Sequence, residues 1–175
     1  KVFTEKNVRI VLNDKYPENL VFMVKESELN DILIYNENPT EAETHIKSSD
    51  LIICLDFNAF PRTENLEQIL LESKGTKSLI DHHLSPDSQH FTLTFSVQEI
   101  SSASELLFHI LKAMPQCNGS ASKLPLCAAE ALMTGMTTDT NNFNNSVYPS
   151  TFNMASELIA MGVDRDKILF NLFNQ

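Results

Sequence analysis

The stretch Lys77-Ser78-Leu79-Ile80-Asp81-His82-His83 decides the reading of this chain. Residues 77–81 read as a buried strand, and three ionisable residues close it. Such groups are costly to desolvate unless something at that place uses them. In open α/β sheets the carboxyl ends of the strands form the crevice where ligands bind. Two more acidic sites fit the same pattern. Asp56 ends the apolar run Leu51-Ile52-Ile53-Cys54-Leu55, and Asp139 sits in Gly135-Met136-Thr137-Thr138-Asp139-Thr140. Asp, His and Asp from three separated segments make a mixed oxygen and nitrogen donor set that suits Mn²⁺, Mg²⁺ or Zn²⁺.

Working outward, strands alternate with helices through the first half. The pattern predicts strands at 8–12, 32–35, 51–56 and 77–81, with helices over 40–47 and about 64–72. Thr40 and Glu43 have capping-box spacing, and Gly75 suits a helix C-cap. Such alternation implies parallel βαβ units with right-handed crossovers. Beyond His83, residues 91–95 alternate like an edge strand. Helices then dominate, at about 102–113, 123–135, 149–161 and 164–173, with Ser102, Asp164 and Gly162 as boundary residues. The fold class expected is α/β, a Rossmann-like parallel sheet flanked by helices with a helical C-terminal part.

Each candidate residue also has a plain structural reading. Asp56 could cap the helix after it, and Asn58 and Arg62 could orient a phosphate or merely finish the turn. Asp139 lies in a tract equally at home in a polar turn. Two adjacent histidines preceded by Asp are harder to account for structurally. Neighbouring strand residues face opposite ways, so His82 and His83 are expected to have different tasks, one toward metal and one toward substrate. Asp81 could hold an imidazole tautomer from behind. His45, His90 and His109 occur singly and read as surface or structural.

At 175 residues the chain has the length of a single domain. A net charge of −10 argues against gripping long duplex DNA, although bound divalent ions would reverse the local sign for a phosphate substrate. Clusters such as Glu26-Ser27-Glu28 and Glu41-Ala42-Glu43 read as solvated surface. The longest apolar runs fall far short of the roughly 20 residues that span a bilayer, so no membrane segment is expected. Three cysteines without Cys-x-x-Cys spacing point to a reducing compartment, hence the cytoplasm. Gly-rich phosphate loops, Gly-x-Ser-x-Gly elbows and His-Glu-x-x-His helices are absent from the sequence.

Together these residues resemble the DHH family of phosphoesterases, whose signature is matched by Asp81-His82-His83. Its second motif is matched by Leu55-Asp56-Phe57-Asn58, and its fourth by Gly135 to Thr140 with Phe143. Ser101-Ser102-Ala103-Ser104-Glu105-Leu106 is similar to the family's helix start after the signature. The details look closest to the branch that degrades very short oligoribonucleotides and dephosphorylates adenosine 3′,5′-bisphosphate (pAp). The resemblance implies metal ligands at Asp56, His82 and Asp139, with Asp56 and Asp139 bridging two ions. It implies a phosphate contact at His83, with Asp81, His82 and His83 as the catalytic group and Asn58 and Arg62 near substrate. Two Mn²⁺ ions are expected in the complete protein, with Mg²⁺ or Co²⁺ as substitutes. Short RNA or pAp is the expected partner, with no duplex DNA and no membrane, and a homodimer is compatible with the resemblance. The family's first motif, His-x-x-x-Asp-x-Asp, and its smaller C-terminal domain are not matched within residues 1–175. The expectation is therefore a partial DHH phosphoesterase domain over 1–175 that alone hydrolyses little. Two alternatives stand beside it: a manganese inorganic pyrophosphatase or exopolyphosphatase, and a non-catalytic nucleotide-binding module.

Overall fold

The computed structural model of the chain describes residues 5–173, without the side chains of 26–28, so the surface role expected of Glu26 and Glu28 lies outside the described residues. The chain divides into two compact units, one up to Ser96 and one from Val97 onward.

The first unit is α/β, as the alternation predicts. Its strands are β1 (Ile10–Leu12), β2 (Ile32–Ile34), β3 (Leu51–Leu55), β4 (Thr76–Asp81) and β5 (Leu93–Ser96), with helices α1 (Pro39–Ser48) and α2 (Glu67–Glu72). Every pairing is parallel, but the strands form two sheets among the described residues, β1-β2 and β3-β4-β5, instead of one. In the larger sheet Cys54 sits beside Leu79 and Leu55 beside Ile80. One face buries Cys54 and Leu79 with Ile46, Phe60, Leu66, Ile69 and Leu70, while Val11, Tyr35, Ile52, Phe57 and Phe91 pack against them. The period-2 alternation of β3 puts Leu51, Ile53 and Leu55 on the other face, where they remain exposed, as do Leu93 and Phe95 of β5.

Several boundaries differ from the sequence expectation for identifiable reasons. α1 starts at Pro39, not Thr40: Asn38 is its N-cap, accepting from the Glu41 N–H, and proline suits the first helical position. The helix expected over 64–72 is a 3₁₀ segment, Phe60–Leu66, kinked at Glu64 (φ 51°) and followed by the short α2. Gly75 is not a C-cap. It lies between Ser73, which closes α2, and β4, where a Cβ would come within 2.3 Å of the Ser49 carbonyl oxygen.

The second unit is helical: α3 (Ala103–Ala113), α4 (Leu126–Asp139), α5 (Pro149–Ala160) and α6 (Arg165–Phe173). α4 is its axle, touching α3, α5 and α6, and it buries a broad face made of Ala129, Leu132, Met133, Thr134, Met136 and Thr137 while Cys127, Ala131 and Thr138 stay exposed on the other side. Ser102 caps α3 by accepting from the Glu105 N–H, and Asp164 accepts from the Lys167 N–H at the head of α6. Gly162 takes φ 98° where α5 ends, a conformation that favours glycine. α4 runs four residues past its expected end, because Gly135 is not a stop signal. It marks the crossing of α3 and α4, where a Cβ would meet Ser104 Oγ at 2.1 Å.

The Glu105 carboxylate is fully buried in this unit. One oxygen accepts from the Ser101 N–H, the Ser101 hydroxyl and the Thr151 hydroxyl, tying the start of α3 to the first turn of α5. Burial acts to raise its pKa, but the hydroxyls of Ser101, Ser150 and Thr151 and the Ser101 N–H together hold it below the ordinary carboxyl value. Among the described residues no helix is long and apolar enough to cross a membrane.

Candidate metal centre

The site in the first unit is made where β3 and β4 end. The Asp56 N–H donates to the Ile80 carbonyl (3.1 Å), carrying the ladder one bond past Leu55, and Asp56 then turns out of the strand at φ 65°. Aspartate is among the few non-glycine residues that tolerate this region. The loops after the two strands are stitched together by Asn58. Its side-chain amide donates to the Leu84 carbonyl (2.7 Å), and its backbone carbonyl accepts from the Asp87 N–H (2.8 Å). Asn58 thus finishes the turn, while Arg62 is exposed on the 3₁₀ segment after it.

Asp81, the last residue of β4, is fully buried. Its two oxygens accept from His83, one from Nδ1 at 2.7 Å and one from the backbone N–H at 3.0 Å. A carboxylate held against Nδ1 places the ring proton there and leaves Nε2 as the lone-pair nitrogen. Of the two histidines, the ring that Asp81 holds is His83. His82 Nε2 lies 3.5 Å from Asp56 Oδ1.

The expectation that His82 and His83 face opposite ways does not hold. Strand pairing ends at Asp81, so the pleat no longer separates the rings, and their centroids are 4.8 Å apart at an interplanar angle of 60°. One ligand atom each from Asp56, His82 and His83 falls within 4.8 Å of the others. A divalent ion with bonds of about 2.0–2.3 Å spaces its donors about 3–4.5 Å apart. The three donors thus fit one ion after small side-chain adjustments. One carboxylate and two imidazoles suit Mn²⁺ or Zn²⁺ better than Mg²⁺.

Asp139 belongs to the second unit. It is not in a turn after a strand but is the last residue of α4, and it is exposed. A carboxylate in the last turn sits against the negative end of the helix dipole, a location that favours a cation beside it.

Parallel strands delivering carboxylate and imidazole donors from their carboxyl ends define a class of metal-binding α/β proteins. Within that class this chain belongs to the DHH family: the family described as "DHH family, N-terminal domain" matches residues 7–136. Among solved structures, an exopolyphosphatase-related protein from Bacteroides fragilis superposes with a TM-score of 0.85 at 34% identity. The match covers 96% of this chain and 47% of that one, so the chain spans about half the length of this neighbour. No curated protein sequence matches.

Proposed function

We propose that the chain forms the metal-binding part of a phosphoesterase that hydrolyses short oligoribonucleotides, pAp or both, using two Mn²⁺ ions. The observation that carries this reading is the convergence of Asp56, His82 and His83 within 4.8 Å at the ends of two parallel strands. Bound divalent ions there would polarise a phosphoryl group and lower the pKa of a water. The chain's own residues supply the rest. Asp56 and His82 provide donors, and the family resemblance adds Asp139 as a proposed ligand. Asp81 fixes the His83 tautomer so that Nε2 points away from its support and can meet a metal or a phosphate oxygen. The net charge of −10 disfavours a long nucleic-acid track and fits a substrate of very few phosphates. The site chemistry and cysteine usage fit work in the cytoplasm.

Among the described residues three donors cluster, fewer than two ions require, so residues 1–175 by themselves should bind Mn²⁺ weakly and turn over slowly. The test is a side-by-side assay of pAp, a diribonucleotide, pyrophosphate and polyphosphate with Mn²⁺, on this chain and on the longest polypeptide that contains it. Hydrolysis of pAp or the dinucleotide is the expected result, with slow turnover by residues 1–175 alone. A second reading, exopolyphosphatase, is favoured by the name carried by the Bacteroides fragilis neighbour. Exclusive hydrolysis of polyphosphate would select it. Cleavage of none of the four would remove the phosphoesterase reading, and rapid turnover by residues 1–175 alone would show that three clustered donors suffice.

A further inference from the structure

The three clustered donors of the first unit come from two segments, and donors bind an ion well only when held within about 0.5 Å of their working positions. Asp56 follows β3, whereas His82 and His83 follow β4. The ladder between these strands ends with the bond from the Asp56 N–H to the Ile80 carbonyl (3.1 Å), so strand pairing does not fix what lies beyond it. The segments after the strands must be held to each other by other means.

They are fastened at two places. The farther fastening is apolar. Phe60 is buried, stacks on His90 with centroids 5.3 Å apart and planes 19° from parallel, and meets Phe91 edge-on at 5.1 Å. Phe60 belongs to the cluster that buries Cys54 and Leu79, so it ties the outer parts of both segments to the core. The nearer fastening is Asn58, two residues after Asp56. Its side-chain amide holds the carbonyl of Leu84, the residue directly after His83. Leu84 is 67% exposed, so its own side chain does little to hold it in place. Ser85 then takes φ 56°, uncommon for a residue with a side chain, and the chain comes back to give the Asp87 N–H to the Asn58 carbonyl. One residue thus grips the other segment with both side chain and backbone, between the donors and the core.

We propose that Asn58 is a positioning residue of the metal centre: its side-chain strap to Leu84 sets the spacing of Asp56 from His82 and His83, and with it the affinity for a divalent ion. The proposal rests on the metal-dependent reading above and deepens it. Asn58 touches neither ion nor substrate in this role. It acts through the donors on either side of the strap, while Phe60 keeps the segments folded whether or not the strap is present.

The experiment measures Mn²⁺ affinity by electron paramagnetic resonance for Asn58→Ala and for Asn58→Leu, which keeps the volume and removes the donor. Thermal melting without metal is run on the same samples. Both variants should melt close to the unmodified chain and lose about tenfold or more in Mn²⁺ affinity, as expected for groups that stand behind a ligand. In an Asp56→Asn background the same changes should cost less than about threefold, because the spacing of a weakened donor matters little and the two effects are then not additive. Unchanged Mn²⁺ affinity in either variant would overturn the proposal and leave the metal centre standing. A full tenfold loss in the Asp56→Asn background would also overturn it, since Asn58 would then act independently of Asp56. Variants that melt far below the unmodified chain without metal would show that the strap serves the fold, which refutes the assignment. Failure of the unmodified chain to bind Mn²⁺ would overturn the metal centre and the proposal together.

Discussion

Replacing Asp81 with asparagine tests the logic of the metal centre most directly. The carboxylate is fully buried and uses both oxygens on His83, accepting from Nδ1 at 2.7 Å and from the backbone N–H at 3.0 Å. Asparagine fits the same space but offers one acceptor. If its oxygen stays on the backbone N–H, its NH₂ group faces Nδ1, and two donors confront each other. The imidazole escapes by moving its proton to Nε2, which then cannot offer a lone pair to a metal or accept a hydrogen bond. Losing a hydrogen bond to a charged group costs about 1.5–3 kcal/mol. At about 1.4 kcal/mol per tenfold change, the competent tautomer falls roughly ten- to a hundredfold. The loss expected for Mn²⁺ affinity from a partner behind a ligating histidine has the same size. Mn²⁺ titration followed by electron paramagnetic resonance reads the affinity, and ¹⁵N chemical shifts of the His83 ring read the tautomer. An Asp81→Asn chain that folds and binds Mn²⁺ as tightly as the original, with Nδ1 still protonated, would refute the reasoning.

Other consequences follow from the second unit and from the thiols. Glu105→Gln should lower stability by about 1–3 kcal/mol in urea unfolding, because the bonds from Ser101 and Thr151 to its one accepting oxygen lose their charge assistance and a buried NH₂ group replaces the other oxygen. Since the folded-state pKa of Glu105 lies below its ordinary value of 4.5, its contribution is present above that pH and disappears as the pH falls through the folded-state value. The variant should therefore lose less stability as the pH falls below about 4.5, as measured by denaturant midpoints, and equal acid sensitivity would contradict this. Gly135→Ala should cost about 1–3 kcal/mol through its clash with Ser104, and Ser104→Gly should recover most of it in a double-mutant cycle. At about pH 8 a thiol reagent should label exposed Cys127 promptly. Buried Cys117, and Cys54 with its pKa pushed up to about 12 by burial, should react only on unfolding.

Much of the fold and part of the site are legible in the sequence, for physical reasons that differ by element. β3 and β4 declare themselves because an apolar run that ends in charge must lead from the interior to a place where charge is used, and both strands do end at the metal centre. Ser102 and Asp164 are readable because capping is local chemistry, settled within four residues. What escapes is non-local. The helix expected to end at about 135 runs on to Asp139, and the missing Cβ of Gly135 serves the close pass of α3, a fact only packing reveals. Glu105 sits where a capping-box acid would, but its carboxylate serves Ser101 and Thr151, the latter 46 residues away. The convergence of His82 and His83 is hidden because strand periodicity applies only as far as the last paired position, and the sequence does not mark where pairing stops.

The left-handed backbone at Asp56 makes that position intolerant of the substitution usually considered mildest. Glutamate would keep the charge, but it lacks aspartate's short side chain, which bonds locally to ease the left-handed conformation. It would also carry its oxygens one methylene farther from His82. Glycine would relax the turn by about 1 kcal/mol and remove the donor altogether. Folding preference and ligand chemistry thus pull this residue in opposite directions. A screen for stability alone should enrich glycine at residue 56, and a screen for Mn²⁺ binding should return aspartate.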